Sequence, residues 1–336
     1  MADRIEIAKK FIEEQRQKRD DIIGAVVVGS VARGEDTESS DIDLSLIFEG
    51  GVEGEIQRSE NGTWRDGVLI DSALKSKESY TDLEKILQNP FQATHMNDAL
   101  ILYDPTGFFT QLQQEVRAVF MEPQWLSKRL QFFLKYAQKG VAGFKNAIAA
   151  GDPLEICGNA CLILGGVVTI PLLRMGKTPS STRNLAQLGE ISKELRERIC
   201  VLEGSHEKSV DDVLALLAPF SEFGTLNEKS LWGGLSEYLI KKVEWMAKNG
   251  LSREAFHTMC FWSFFPFSGF GGREKPQLQP EEYRLVQSWL EKVGWEGKEV
   301  LDAKLQMIES IMKEMEELVV DLPSSASSTT PAWEVA

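Results

Sequence analysis

The tightest constraint on the fold is a pair of short segments near the N-terminus. Residues 22–28 read IIGAVVV, uncharged and mostly β-branched, and stop at Gly29-Ser30. A run of that length and type is a buried strand. After a ten-residue spacer that follows Ser30, Asp41, Asp43 and Ser45 alternate with Ile42, Leu44 and Leu46, which predicts a strand with one face in the core. The spacer is long enough to lay the second strand beside the first.

Further elements follow from the same patterns. Residues 3–19 place Ile5, Ala8, Phe11 and Ile12 at helical spacing. Residues 68–74, VLIDSAL, form a third strand after the turn signals Asn61-Gly62 and Asp66-Gly67, and Ala99–Tyr103 a fourth, closed by Asp104-Pro105-Thr106-Gly107. Between them a helix runs from about Thr81 to Gln88, with Pro90 expected beyond its end. From Pro123 helical periodicity dominates to about residue 320, broken at Gly151-Asp152-Pro153, Gly176–Pro179, Gly204 and Gly250. The fold class expected is α+β: a mixed β-sheet flanked by helices over residues 1–121, then an all-α region over 122–320. The Ser-, Thr- and Pro-rich tail, 321–336, is expected to be disordered.

At 336 residues and 43% hydrophobic content the chain can bury a large core. Its net charge of −14 argues against gripping an extended nucleic acid, which calls for a basic surface. The acidity suits a cationic small acceptor, and it equally serves solubility. Four cysteines are too few for a disulfide framework. Cys157 and Cys161 share a helix face, with His257 and Cys260 downstream, but the spacing fits no standard zinc site and core packing is the simpler reading. The N-terminal residues are charged without an apolar signal core. The uncharged run Ile156–Leu173 contains Asn159, Gly165, Gly166 and Pro171, so it reads as a buried helix and not a membrane span. A cytoplasmic location is expected.

The chemistry concentrates on the first two strands. Asp41 and Asp43, two apart, are expected on one face of a strand that Ile42 and Leu44 anchor in the core. Two such carboxylates repel unless a cation lies between them; magnesium, held by carboxylates and phosphate oxygens, is the usual answer. Gly29 lets the chain turn tightly, and the backbone N–H groups after it, with the Ser30 hydroxyl, suit phosphate. Asp71, within an apolar strand, is costly to bury without a partner; a metal or an acceptor hydroxyl would explain it.

GSVARGEDTESSDIDLSL with Asp71 on a later strand resembles the signature of the DNA polymerase β-like nucleotidyltransferase superfamily. The wording is most similar to its small bacterial branch of aminoglycoside adenylyltransferases, kanamycin nucleotidyltransferase and minimal nucleotidyltransferases. The resemblance covers residues 20–107. It implies transfer of AMP from ATP, with two magnesium ions, to an acceptor hydroxyl. It further implies that Gly29, Ser30 and Ser40 bind the nucleoside triphosphate. Asp41 and Asp43 would bind the metals, while Asp71 would share one or take the acceptor proton. Arg33 is common in that signature; a phosphate contact and a structural ion pair are equally open for it.

The acceptor is expected from the helical region. Glu155, Glu190 and Glu237 there are candidate bases or cation-binding groups, against the plainer reading as solvated helix faces. The aromatic segment Phe261–Phe270 could line a pocket or form a lid, against core packing. Trp64 and Arg65, ahead of the third strand, could flank the nucleotide. A small-molecule acceptor leads. Transfer to a protein or RNA end, or a non-catalytic nucleotide-binding role, are the alternatives.

Overall fold

A computed structural model describes residues 3–50, 62–180, 182–228, 235–272, 274–320 and 322. The first helix, α1 (Arg4–Lys18), starts at Asp3, whose carboxylate accepts from the N–H groups of Ile5 and Glu6. It leads into β1 (Ile22–Val28), a short turn of helix α2 (Gly29–Ala32) and β2 (Ile42–Phe48). A hairpin of β3 (Thr63–Arg65) and β4 (Val68–Ser76) follows, then α3 (Leu83–Gln88), α4 (Pro90–Asp98), β5 (Leu100–Tyr103) and α5 (Phe108–Val119).

The strands form one mixed sheet in the order β3-β4-β2-β1-β5. β1 is antiparallel to both β2 and β5, whereas β2 and β4 run parallel. β1 is apolar on both faces because both are covered. Ala25 and Val27 pack with Ile7, Phe11 and Ile12 of α1. Val26 and Val28 pack with Ile86, Met96, Phe109 and Val116 from α3, α4 and α5.

One local expectation changes, and another gains a second role. Thr63–Arg65 is a fifth strand, not a loop. Asp66 and Gly67 both take positive φ, 49° and 78°, so they make a tight hairpin turn and not the lead-in to an isolated strand. Pro90 lies beyond the end of α3, as expected, and is also the first residue of α4. Asn89 ends α3 and caps α4, accepting from the N–H groups of Phe91 and Gln92.

After α5 the chain is helical. Two long helices, α6 (Pro123–Ala150) and α7 (Pro153–Arg174), pack against each other across the Gly151-Asp152-Pro153 break. Gly151 takes a left-handed φ of 66° there, and the Asp152 carboxylate caps α7. Then come α8 (Asn184–Ile191), α9 (Lys193–Glu203), α10 (Val210–Ala215), α11 (Leu217–Glu228), α12 (Leu235–Lys248), α13 (Ser252–Phe264), α14 (Pro280–Val293) and α15 (Lys298–Val320). The apolar run expected as a buried helix is α7, long and apolar enough to cross a membrane, but 89% of its most apolar window is buried within the protein. All four cysteines are free and buried; burial pushes the thiols of Cys157, Cys161 and Cys260 up, leaving them protonated packing groups. The observed architecture is the expected α+β, with the sheet first and the helices after it. Of the tail expected to be disordered, 321–336, all but Leu322 lies outside the described residues; Leu322 packs against the helical core.

One sheet face looks toward the helices. Leu69 of β4 is buried in the same apolar cluster as Leu126, Leu130 and Phe223. Asp71 follows it by two residues, on the same face. The arrangement thus turns the acid-bearing face toward the helical region.

Candidate active site

Gly29 closes β1 with φ +73°, a conformation that L side chains rarely adopt. Space forbids a side chain as well: a Cβ at Gly29 would lie 2.3 Å from Oδ2 of Asp43. The turn therefore passes directly over a carboxylate, which only glycine allows. Asp43 pairs in register with Val28 of β1 on one side and with Asp71 of β4 on the other. Because β2 and β4 are parallel and in register, Asp43 and Asp71 project side by side from one face.

Asp41 stands just before β2 and is placed by α1. The nearly fully buried Arg4 donates from Nε to Ser40 O at 2.9 Å and from one terminal nitrogen to Glu38 O at 2.8 Å; the other lies 3.2 Å from Asp36. One guanidinium thereby fixes the end of the spacer. Ser40 is buried, and its hydroxyl accepts from the Thr37 N–H at 2.9 Å. Its bond is within the spacer, whose shape it helps set. Ser30 is half-buried in the turn, and its carbonyl accepts from the Glu35 N–H.

Arg33 is held by ion pairs, at 2.9 Å from Glu35 and 3.6 Å from Asp98. Both partners reach on to the segment between α7 and α8: Arg183 lies 2.9 Å from Glu35, and the Thr178 hydroxyl donates to Asp98 at 2.5 Å. Of the two roles open for Arg33, the structure displays the ion-pair one.

The helical region reaches the carboxylates through α12. The hydroxyl of Tyr238 donates to Asp41 Oδ1 at 2.7 Å, and the ammonium of Lys242, one turn on, donates to that hydroxyl at 2.7 Å. Tyr238 is buried. Burial first, then the charge of Asp41 and the hydrogen bond to it, then the charge of Asp43, push its phenol well above the ordinary range. Lys241 lies 5.0 Å over the ring of Trp64, a cation–π contact that brings the β3–β4 hairpin to the same helix. Arg65 turns away, pairing with Glu14 of α1 at 3.3 Å. Sequence reasoning missed Tyr238 and Lys242. Their one-turn spacing is ordinary on an amphipathic helix, and nothing local marks the face that meets Asp41.

Among the described residues, none of the remaining candidates bonds the three acids. Glu190 pairs with Lys177 and Glu237 with Lys241, both glutamates exposed, while the half-buried Glu155 pairs with Lys275 and accepts from Asn159. The aromatic segment divides: Phe264 and Phe267 are fully buried, while Phe261, Phe265 and Phe270 join a half-exposed chain of rings that reaches Tyr136, Phe132 and Phe91.

Asp41, Asp43 and Asp71 offer oxygen donors only, the set a hard divalent cation takes, and the in-register pair suits one by charge. Among the described residues no group of three or more His, Cys, Asp or Glu side chains is arranged to hold a metal. The third expected corner, Asp41, bonds Tyr238.

No curated protein matches the sequence. A solved structure of a nucleotidyltransferase-like protein from Exiguobacterium sibiricum 255-15 is similar at 11% identity and a TM-score of 0.37, over 94% of this chain and 91% of that one. Residues 8–132, which hold most of α1, the whole sheet and Asp41, Asp43 and Asp71, match the family model of the nucleotidyltransferase domain, whose general chemistry is transfer of a nucleoside monophosphate.

Proposed function

We propose that the protein transfers AMP from ATP to a hydroxyl group of a small cationic acceptor, of the aminoglycoside type. The observation that carries this reading is the in-register pair Asp43–Asp71 under the Gly29 turn, within the stretch that matches a nucleotidyltransferase domain. The net charge of −14 favours a cationic acceptor over a polyanionic one. The helical region, 122–320, serves as the acceptor-binding domain.

In this reaction the acceptor oxygen attacks the α-phosphorus, the bond to the β-phosphate oxygen breaks, and pyrophosphate leaves. Gly29 lets the triphosphate approach the backbone, and the Ser30 hydroxyl donates to it. Lys242 supplies positive charge on the opposite side. Trp64 flanks the nucleotide. Asp43 and Asp71 would hold magnesium, which when bound offsets charge on the attacking and leaving oxygens. Asp41, beside them and bonded to Tyr238, takes the acceptor proton.

The test is pyrophosphate release from ATP with magnesium and a panel of amino sugars. Asp43→Asn should lower the rate by at least about a hundredfold, the scale of losing several kcal/mol of charge stabilisation. It should melt within about 4 °C of the parent, since a half-buried carboxylate is exchanged for its isostere. Unchanged release in that variant would sink the reading.

A further inference from the structure

Nucleotidyl transfer needs a hydroxyl with a lone pair to give and a base to take its proton. In this protein one such hydroxyl is built in. Tyr238 Oη donates its proton to Asp41 Oδ1 at 2.7 Å, and one of its lone pairs accepts from Lys242 Nζ at 2.7 Å. A phenolic oxygen has a second lone pair. The ring is buried, so the hydroxyl is held in place and is not swept through solvent. The hydroxyls of Thr37, Ser39 and Ser40 differ: they bond one another within the spacer. Glu237, the neighbour of Tyr238, points elsewhere and pairs with Lys241.

We infer that Tyr238 is itself a nucleotidyl acceptor, and that the protein attaches one nucleoside monophosphate to this side chain in cis. The inference rests on the transferase reading above. The Tyr238 oxygen attacks the α-phosphorus of a bound nucleoside triphosphate. An Oη–P bond forms, and the bond from phosphorus to the bridging oxygen breaks. Pyrophosphate leaves with that electron pair, and the phenolic proton passes to Asp41. Lys242 keeps its hydrogen bond to the attacking oxygen throughout, which orients the lone pair that reacts. The product has no O–H to give Asp41, so α12 loses that tie to the sheet, and the phosphodiester stands over the carboxylates. The reaction therefore stops at one nucleotide per chain.

The experiment incubates the full chain with magnesium and each of the four ribonucleoside triphosphates, with no added acceptor. Intact mass and peptide mapping are followed, with pyrophosphate release measured in parallel, with and without amino sugars. The expected result is one nucleoside monophosphate per chain, mapped to Tyr238. Its rate should be first order and independent of protein concentration. The adduct should be absent from Tyr238→Phe, which keeps the ring, and from Asp43→Asn even when that variant is mixed with active protein. Mapping on the wild-type chain decides the matter whether or not Tyr238→Phe folds. Pyrophosphate release with an amino sugar while Tyr238 stays unmodified would overturn this inference and leave the transferase reading standing. An adduct on another residue, or one forming between chains, also overturns it. Neither adduct nor release with any nucleotide ends both.

Discussion

Gly29 shows how little freedom a single position in the site has. Its backbone sits at φ +73°, and the space a Cβ would need is taken by the Asp43 carboxylate. Gly29→Ala combines a left-handed conformation, costing about 1–2 kcal/mol, with a contact that only displacement of Asp43 relieves. Stability should fall by about that amount in a denaturant titration. Activity should fall further, because the carboxylate that moves is one of the acting groups. Activity retained at parent level would mean that the position of Asp43 under the turn does not matter. This feature was legible in the sequence because a glycine after a buried strand and an Asp-x-Asp ten residues on constrain each other through one short connection. Tyr238 was not legible, since it lies 197 residues from its partner Asp41.

At the scale of elements, the spacer between β1 and β2 is shaped from outside. Arg4, on a helix that looked merely amphipathic, bonds two spacer carbonyls and pairs with Asp36. Arg4→Met keeps the stem and removes the fork. Leaving the buried Ser40 carbonyl without its donor costs roughly 1–3 kcal/mol, and the exposed Glu38 carbonyl adds little. The melting temperature should drop by several degrees, and hydrogen exchange should quicken at residues 36–40 before it does so in β1. Equal quickening in both would show that Arg4 supports the sheet as a whole. The β3–β4 hairpin and the start of α4 carry a related lesson. Asp66-Gly67 reads as a turn signal and Pro90 as lying past a helix end, yet each also begins something. The residues on the far side decide which: three strand residues before Asp66-Gly67, and a helix after Asn89-Pro90 whose first N–H groups Asn89 caps.

At the scale of the whole molecule, the helical core encloses a charged pair. His257 of α13 and Glu203 at the end of α9 are both buried, and His257 Nδ1 lies 2.5 Å from Glu203 Oε1. Burial opposes the imidazolium, but the charge of Glu203 and the hydrogen bond to it, with the charge of Glu254, outweigh burial and raise the His257 pKa above 6.5. A raised folded value means that this stabilisation is complete below about pH 6.5, the unfolded value. It is lost as pH rises through the folded one. Lys304, donating to the carbonyl of Leu202, runs the other way. Burial lowers its pKa to about 8, so its charge costs stability below that pH, and the cost fades above it. Comparing wild type with His257→Gln isolates the histidine. The variant should be less stable by about 3–5 kcal/mol at mildly acidic pH, the scale of a buried ion pair broken from one side. That gap should narrow as pH rises above the folded value. A gap that stays flat with pH would show that His257 is neutral in the folded protein.

The α+β class, the sheet-then-helices order and the laying of β2 beside β1 were determined by the sequence alone. They rest on local periodicity, short connections and the strict two-residue alternation of a strand, all of which act between near neighbours. Only the tertiary structure decided that β2 and β4 run parallel with Asp43 opposite Asp71, that Arg4 sets the spacer, and that α12 brings Tyr238 and Lys242 onto Asp41. Those contacts join residues whose local patterns are satisfied by many packings. Burial of the whole helical core against one face of the sheet selects among them.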